Sequence, residues 1–171
     1  MSKSIILIGP PGAGKSTIGK QLARSLNCSF TDTDDIIEMK TGSTISQIFF
    51  DQGEPWFREL EVEVVLQAIA EIDGILSLGG GAPLSQPAQD LLQIISTPIV
   101  FLDVSLATAA PRVGFNRDRP LLLNNPRATW QALMEKRRPI YEAVSTHIVA
   151  VDGLSAKEVA AKIREIVSQS Q

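Results

Sequence analysis

Ser4-Ile5-Ile6-Leu7-Ile8-Gly9-Pro10-Pro11-Gly12-Ala13-Gly14-Lys15-Ser16-Thr17 decides how the rest of this 171-residue chain is read. The apolar run Ser4–Ile8 has the length and composition of a buried strand. It leads into Gly9–Ser16, which fits the phosphate-binding pattern G-x-x-x-x-G-K-[ST] at every fixed position. Glycines let backbone N–H groups curl around phosphate oxygens, Lys15 supplies a mobile cation, and the Ser16 hydroxyl is suited to ligate Mg²⁺. Behind the loop, Ile18, Leu22 and Leu26 recur at helical spacing, so the loop opens a helix whose N-terminus favours anions. Gly12, Ala13, Gly14, Lys15, Ser16 and Thr17 are therefore the candidate contacts of a nucleoside triphosphate.

Composition narrows the remaining choices. With 44% hydrophobic and 20% charged residues, the chain is expected to form one globular domain over residues 1–171. The net charge of −3 argues against a nucleic-acid partner, whose binders usually carry a basic excess on one face. No apolar stretch approaches the 18 or so residues of a membrane span, so no membrane partner is expected and a cytoplasmic protein is the default. A monomer is expected, because nothing suggests an obligate oligomer. One cysteine, Cys28, forbids an internal disulfide and reads as a small apolar packing residue. The one histidine, His147, precedes the apolar run Ile148–Val151 and reads as a strand-end residue rather than a catalytic one.

Strand candidates lie at 4–8, 29–33, 74–78, 98–103 and 147–151, with helical segments between them. Alternating β and α implies a parallel sheet with helices on both faces, a three-layer α-β-α arrangement. Thr44-Ile45-Ser46-Gln47 and Ser155-Ala156-Lys157-Glu158 fit the capping-box pattern, and Pro55 is placed to open a long helix running to about Ile72. From Gly114 to about Asn125 the sequence has no period and reads as a mobile lid, within bounds of about 112–125, that carries Arg117 and Arg119.

A second set of polar residues follows the strands. In Phe30-Thr31-Asp32-Thr33-Asp34-Asp35 the carboxylates of Asp32 and Asp34 are two apart. On a strand that spacing puts both on one face, toward the carboxyl-end crevice where such sheets bind ligands. One can hold the water shell of Mg²⁺ while the other meets an acceptor hydroxyl. Gly79-Gly80-Gly81 after the third strand permits very close backbone approach and suggests a ligand resting on main-chain N–H groups. Arg58 has Glu54 and Glu61 at i−4 and i+3, which leaves a plain surface pairing open. Arg137 is open to reading as a helix-end cation.

Taken together, these blocks resemble the shikimate kinase family from end to end. They comprise the phosphate loop; Phe30-x-Asp32-x-Asp34 with Ile37-Glu38; Gly42-x-x-Ile45-x-x-Ile48-Phe49; Gly53-Glu54-x-x-Phe57-Arg58-x-x-Glu61; Gly79-Gly80-Gly81; Arg119-Pro120-Leu121-Leu122; and Arg137-x-Pro139-x-Tyr141. The resemblance implies a P-loop kinase fold with a substrate-binding region at about 33–61. It also implies ATP-dependent phosphorylation of the 3-hydroxyl of shikimate, on the route to chorismate and the aromatic amino acids. By similarity, Lys15 and Arg119 contact the transferring phosphoryl group, Ser16 binds Mg²⁺, and Asp32 supports the ion through water. Asp34 holds the substrate hydroxyls and orients or deprotonates the acceptor. Arg58 and Arg137 take the carboxylate, Gly79, Gly80 and Gly81 contact the substrate, and Arg112 meets the adenine.

Two features depart from that pattern. Val151-Asp152-Gly153-Leu154-Ser155 lacks the arginine that family members often place near the adenine, and Pro111 beside Arg112 is unfavourable inside a helix. The rival readings are another small-metabolite P-loop kinase of the gluconate type and a non-catalytic nucleotide-dependent relative. The pairing of Arg58 and Arg137 with Asp34 favours a small hydroxylated carboxylate as acceptor.

Overall fold

The computed structural model describes residues 4–113 and 125–170. Five strands form one parallel sheet in the order β2-β3-β1-β4-β5. The strands are β1 (Ile5–Ile8), β2 (Phe30–Asp32), β3 (Ile75–Ser77), β4 (Ile99–Asp103) and β5 (His147–Ala150). All five expected strands are present, each shorter than its expected span because the ends turn into loops or helix. The helices are α1 (Lys15–Leu26), α2 (Thr33–Thr41), α3 (Ile45–Gln52), α4 (Glu54–Ala70), α5 (Gln86–Ile94), α6 (Leu106–Val113), α7 (Pro126–Val144) and α8 (Ala156–Gln169). Residues Ala82–Leu84 form one 3₁₀ turn.

β1 is central and buried along its whole length, as is most of β4, which is why both read as unbroken apolar runs. The helices pack in two groups, α1 with α8 and α5 with α4 and α7, and they flank the sheet. The chain fills positions on one side of β1 with β2 and β3, then crosses to the other side with β4 and β5. That reversal opens a crevice at the carboxyl end of β1. The register sharpens it: Leu7 pairs with Ser77 and Ser77 with Asp32, so the segments leaving β1, β2 and β3 start level with one another. A second, smaller apolar cluster of Ile37, Ile48, Phe57 and Val64 binds α2, α3 and α4 together beside the crevice. Among the described residues, no helix is long and apolar enough to cross a membrane.

Local signals explain the helix ends. Ser155 accepts from the Glu158 N–H at 3.1 Å while Glu158 accepts from the Ser155 N–H at 2.6 Å, a complete capping box. At Thr44 only half of the expected box forms. Thr44 accepts from the Gln47 N–H at 3.1 Å, but the Gln47 amide turns to Asp51 at 2.9 Å, and Glu38 accepts from the Ile45 N–H at 3.1 Å. Pro55 does open the long helix, which ends at Ala70. Cys28 packs partly buried against the main core, and the His147 ring meets Thr146 and Ser170 hydroxyls at 2.8 Å each.

Ser155→Ala is expected to lower unfolding stability by about 0.5–2 kcal/mol in urea denaturation, the usual cost of a lost cap, without changing turnover. The Ser155 N–H holds the Glu158 carboxyl below its ordinary pKa. That contribution is present above the unfolded-state pKa and fades as pH falls through the depressed folded one.

Candidate active site

The loop between β1 and α1 turns on two glycines in the left-handed region, Gly12 at φ 85° and Gly14 at φ 88°. Gly14 is also the N-cap of α1, and no side chain caps it, so the first N–H groups of α1 are left for an anion. Lys15 Nζ donates back to the carbonyls of Gly9 at 2.7 Å and Pro10 at 3.2 Å. The Ser16 hydroxyl donates to Asp32 Oδ2 at 3.0 Å, which joins the two candidate metal ligands. Two side chains brace the loop from the far part of the chain: Arg112 Nη1 donates to the Gly12 carbonyl at 2.8 Å and Trp130 Nε1 to the Pro11 carbonyl at 2.7 Å.

Asp32 and Asp34 both line the crevice, but not for the reason that strand alternation suggests. β2 ends at Asp32, and Asp34 lies in the first turn of α2. Asp32 is the N-cap of that helix and accepts from the Asp34 N–H at 2.8 Å. One carboxylate of the pair thus sets the position of the other.

The three glycines after β3 each lie beneath a different polar side chain. A Cβ at Gly79 would sit 2.7 Å from Asp34 Oδ1, and one at Gly80 would sit 3.1 Å from Arg137 Nη1 and 3.3 Å from Pro11 Cδ. A Cβ at Gly81 would collide with the Arg58 guanidinium. These glycines provide clearance for the side chains above them. The Gly79 N–H itself donates to the Thr33 hydroxyl at 3.0 Å.

The arginines also differ from their simplest readings. Arg58 bonds Glu61 at 2.7 Å and Glu54 at 3.4 Å, yet Glu61 is only 4% exposed, so this is no surface pair. Burial pushes the Glu61 carboxyl up in pKa, and the neighbouring Arg58 opposes that without cancelling it. Arg137 lies in the middle of α7, also 4% exposed, rather than at a helix end. Its Nε is buried without a hydrogen-bond partner. Pro111 falls in the last turn of α6 and leaves Arg112 able to reach the phosphate loop. Arg117 and Arg119 lie outside the described residues, as does most of the expected lid.

Lys15, Ser16, Asp32, Asp34, Arg58, Glu61, Arg112, Arg137 and the three glycines open onto one cavity of about 410 Å³. The phosphate loop, with Ser16 and Asp32, lines one part. Asp34, Arg58, Glu61, Arg137 and the glycines line another. Sequence reasoning assigned no role to Glu61, Tyr141 or Trp130. The signal for Glu61 and Tyr141 was their place in the Phe-Arg-x-x-Glu and Arg-x-Pro-x-Tyr blocks. Trp130 carried no local signal, since its partner Pro11 is more than a hundred residues away.

The shikimate kinase family model matches residues 11–168. The chain belongs to that family. A shikimate kinase of Saccharopolyspora erythraea is 46% identical over 169 residues, covering 98% of this chain and 95% of that protein. One of Rhodococcus erythropolis is 46% identical over 172 residues, covering 100% and 99%. The solved shikimate kinase of Acinetobacter baumannii in complex with shikimate superposes with a TM-score of 0.95 at 32% identity, covering 100% of this chain and 96% of that one. Family membership carries with it the use of ATP by a phosphotransferase.

Tyr141, the chain's sole tyrosine, is fully buried, and burial pushes its hydroxyl up to about 12 against the opposing pull of Arg137. Its near-ultraviolet phenolate signal is therefore expected to stay flat through pH 10, the ordinary value, while the protein remains folded. The folded pKa is the raised one, so the phenol's contribution to stability is full below pH 10 and is lost as pH climbs toward about 12. Tyr141→Phe should remove that component from the alkaline unfolding profile.

Proposed function

We infer that this chain transfers a phosphoryl group from ATP to the 3-hydroxyl of shikimate, giving shikimate 3-phosphate and ADP, a step toward chorismate and the aromatic amino acids. The observation that carries the reading is the continuity of the cavity. An anion-binding helix terminus and a pocket holding Asp34, the Arg58 and Arg137 guanidinium groups, the Arg58 partner Glu61 and a glycine floor share one space of about 410 Å³. Shikimate is a small carboxylate bearing several hydroxyls, and that pocket matches it group for group.

Phosphoryl transfer needs positioning and charge neutralisation more than covalent chemistry. Gly12, Gly14 and Thr17 wrap the phosphates with main-chain N–H groups, and Ala13 joins them by giving up its N–H bond to the Pro10 carbonyl at 3.2 Å. Lys15 exchanges the carbonyls of Gly9 and Pro10 for phosphate oxygens, Arg119 joins it at the transferring group, and Arg112 faces the adenine. Ser16 and Asp32 fit Mg²⁺, the hydroxyl as a direct ligand and the carboxylate through water. Mg²⁺ keeps most of its shell as water and phosphate oxygens, so one or two protein oxygens suffice. When bound it neutralises charge on the phosphate oxygens. Asp34 holds the acceptor hydroxyl and orients it or takes its proton. Arg58 and Arg137 grip the carboxylate above Gly79, Gly80 and Gly81, and Glu61 keeps the Arg58 fork aimed there.

Lys15→Ala and Asp34→Asn are each expected to abolish shikimate-dependent ADP release while leaving the circular dichroism spectrum and melting curve near those of wild type. Near-normal turnover by folded Asp34→Asn would remove the role given to that carboxylate. Activity with gluconate or a nucleoside monophosphate in place of shikimate would move the chain to a different kinase class.

Arg58 acts on a carboxylate present in ground and transition states alike, so its loss is expected in KM rather than kcat. One charge-assisted contact is worth about 1.5–3 kcal/mol, so Arg58→Ala should raise the shikimate KM by about 10- to 150-fold. The check is a shikimate analogue with a neutral group for its carboxylate: wild type should discriminate strongly against it, Arg58→Ala much less. Equal discrimination by the two proteins would leave Arg58 as a partner of Glu61 alone.

A further inference from the structure

Three consecutive glycines make a floor with no side chains to fix it, so its shape has to be held from outside. Gly79 is held by Thr33 through its N–H at 3.0 Å, and the Gly81 carbonyl accepts from Leu84 N–H at 3.1 Å within the following turn. Gly80 is held from elsewhere in the chain: its carbonyl accepts a 2.6 Å hydrogen bond from the Tyr141 hydroxyl. Tyr141 lies four residues after Arg137 on α7, one turn along the same face, with its ring 5.1 Å from that of Phe101. Gly80 in turn is the glycine whose Cβ would meet Arg137 Nη1 at 3.1 Å. Phenol, glycine and guanidinium therefore close a triangle, with two corners supplied by one helix. The Arg137 Nε makes no hydrogen bond of its own, while the guanidinium stands close enough to the Tyr141 hydroxyl to oppose the rise in its pKa. A tyrosine present only to fill the core would be served by phenylalanine, because a buried hydroxyl costs stability unless it is bonded.

We propose that Tyr141 is a positioning residue for substrate binding, its hydroxyl fixing the Gly80 main chain and, across the shared contact, the Arg137 guanidinium that takes the acceptor's carboxylate. The proposal rests on the shikimate reading above. It predicts an effect mainly on the acceptor, since the Tyr141 hydroxyl bonds the glycine floor and not Lys15, Ser16 or Asp32, whose own bonds go elsewhere.

The test is Tyr141→Phe, which keeps the ring and removes the hydroxyl. The shikimate KM should rise by about 3- to 10-fold, the worth of one neutral hydrogen bond, with kcat and the ATP KM within about twofold of wild type. Adding Tyr141→Phe to Arg137→Ala should cost little further in shikimate KM, because the two act through one contact. A purely structural tyrosine would instead lower the melting temperature, leave both Michaelis constants in place and give independent effects in the double variant; that result overturns the proposal. If Tyr141→Phe does not fold, biosynthetic 3-fluorotyrosine labels this single site in the otherwise unchanged chain. Its one fluorine resonance should shift on saturation with shikimate and shift less with the neutral-group analogue, and no response to shikimate overturns the proposal. A wild-type chain that turns over no shikimate overturns the function reading and this one together, whereas normal wild-type turnover with an unchanged shikimate KM in Tyr141→Phe overturns this one alone.

Discussion

An uncapped helix N-terminus at the centre of a buried sheet is the constraint on which the molecule turns. Leaving the first N–H groups of α1 unsatisfied costs stability unless an anion or water meets them. The chain accepts this at Gly14, where a left-handed residue with no side-chain cap starts the helix. The rest of the crevice is arranged around that donor cluster. β1 holds the loop at the middle of the sheet, and the register sets Asp32 and Ser77 level with Leu7. Asp32 then caps α2 while accepting from Ser16, so the carboxylates of Asp32 and Asp34 are positioned by one turn of chain.

α7 links the two ends of the cavity. Trp130, Arg137 and Tyr141 are buried on it at spacings of seven and four residues, one stripe of a helix. Trp130 bonds the phosphate loop at Pro11 and Tyr141 bonds the glycine floor at Gly80, with Arg137 between them. Gly80 itself lies against Pro11, so the floor and the loop share a wall. A helix braced at two points keeps the spacing between the phosphate loop and the glycine floor fixed.

The cavity holds a charge pair of its own. Glu61 pairs with Arg58 in a site where burial alone would favour its neutral form. Such a pair gains little net stability, but it keeps a guanidinium extended over a glycine floor. The three glycines matter here through space: each lies beneath one of Asp34, Arg137 and Arg58, and a methyl group at Gly79 or Gly81 would displace the side chain above it.

The amino-acid sequence determined what is local and periodic. The phosphate loop is a run of neighbours, the central strands β1 and β4 are apolar runs because a parallel sheet is covered on both faces, and Ser155 with Glu158 spells its own cap. The candidate arginines and aspartates could be named from their blocks for the same reason. Which of them are buried, and what holds them, was decided by tertiary structure. Asp34 reaches the crevice from a helix turn rather than a strand face, because β2 stops at Asp32 once that carboxylate caps α2. Glu61 looks like a helix-surface partner until α4 packs it inward, and the work of Trp130 and Tyr141 is invisible in sequence because their partners, Pro11 and Gly80, are backbone carbonyls in distant segments. A hydrogen bond to a main-chain oxygen leaves no complementary residue type to read, so only the folded path of the chain reveals it.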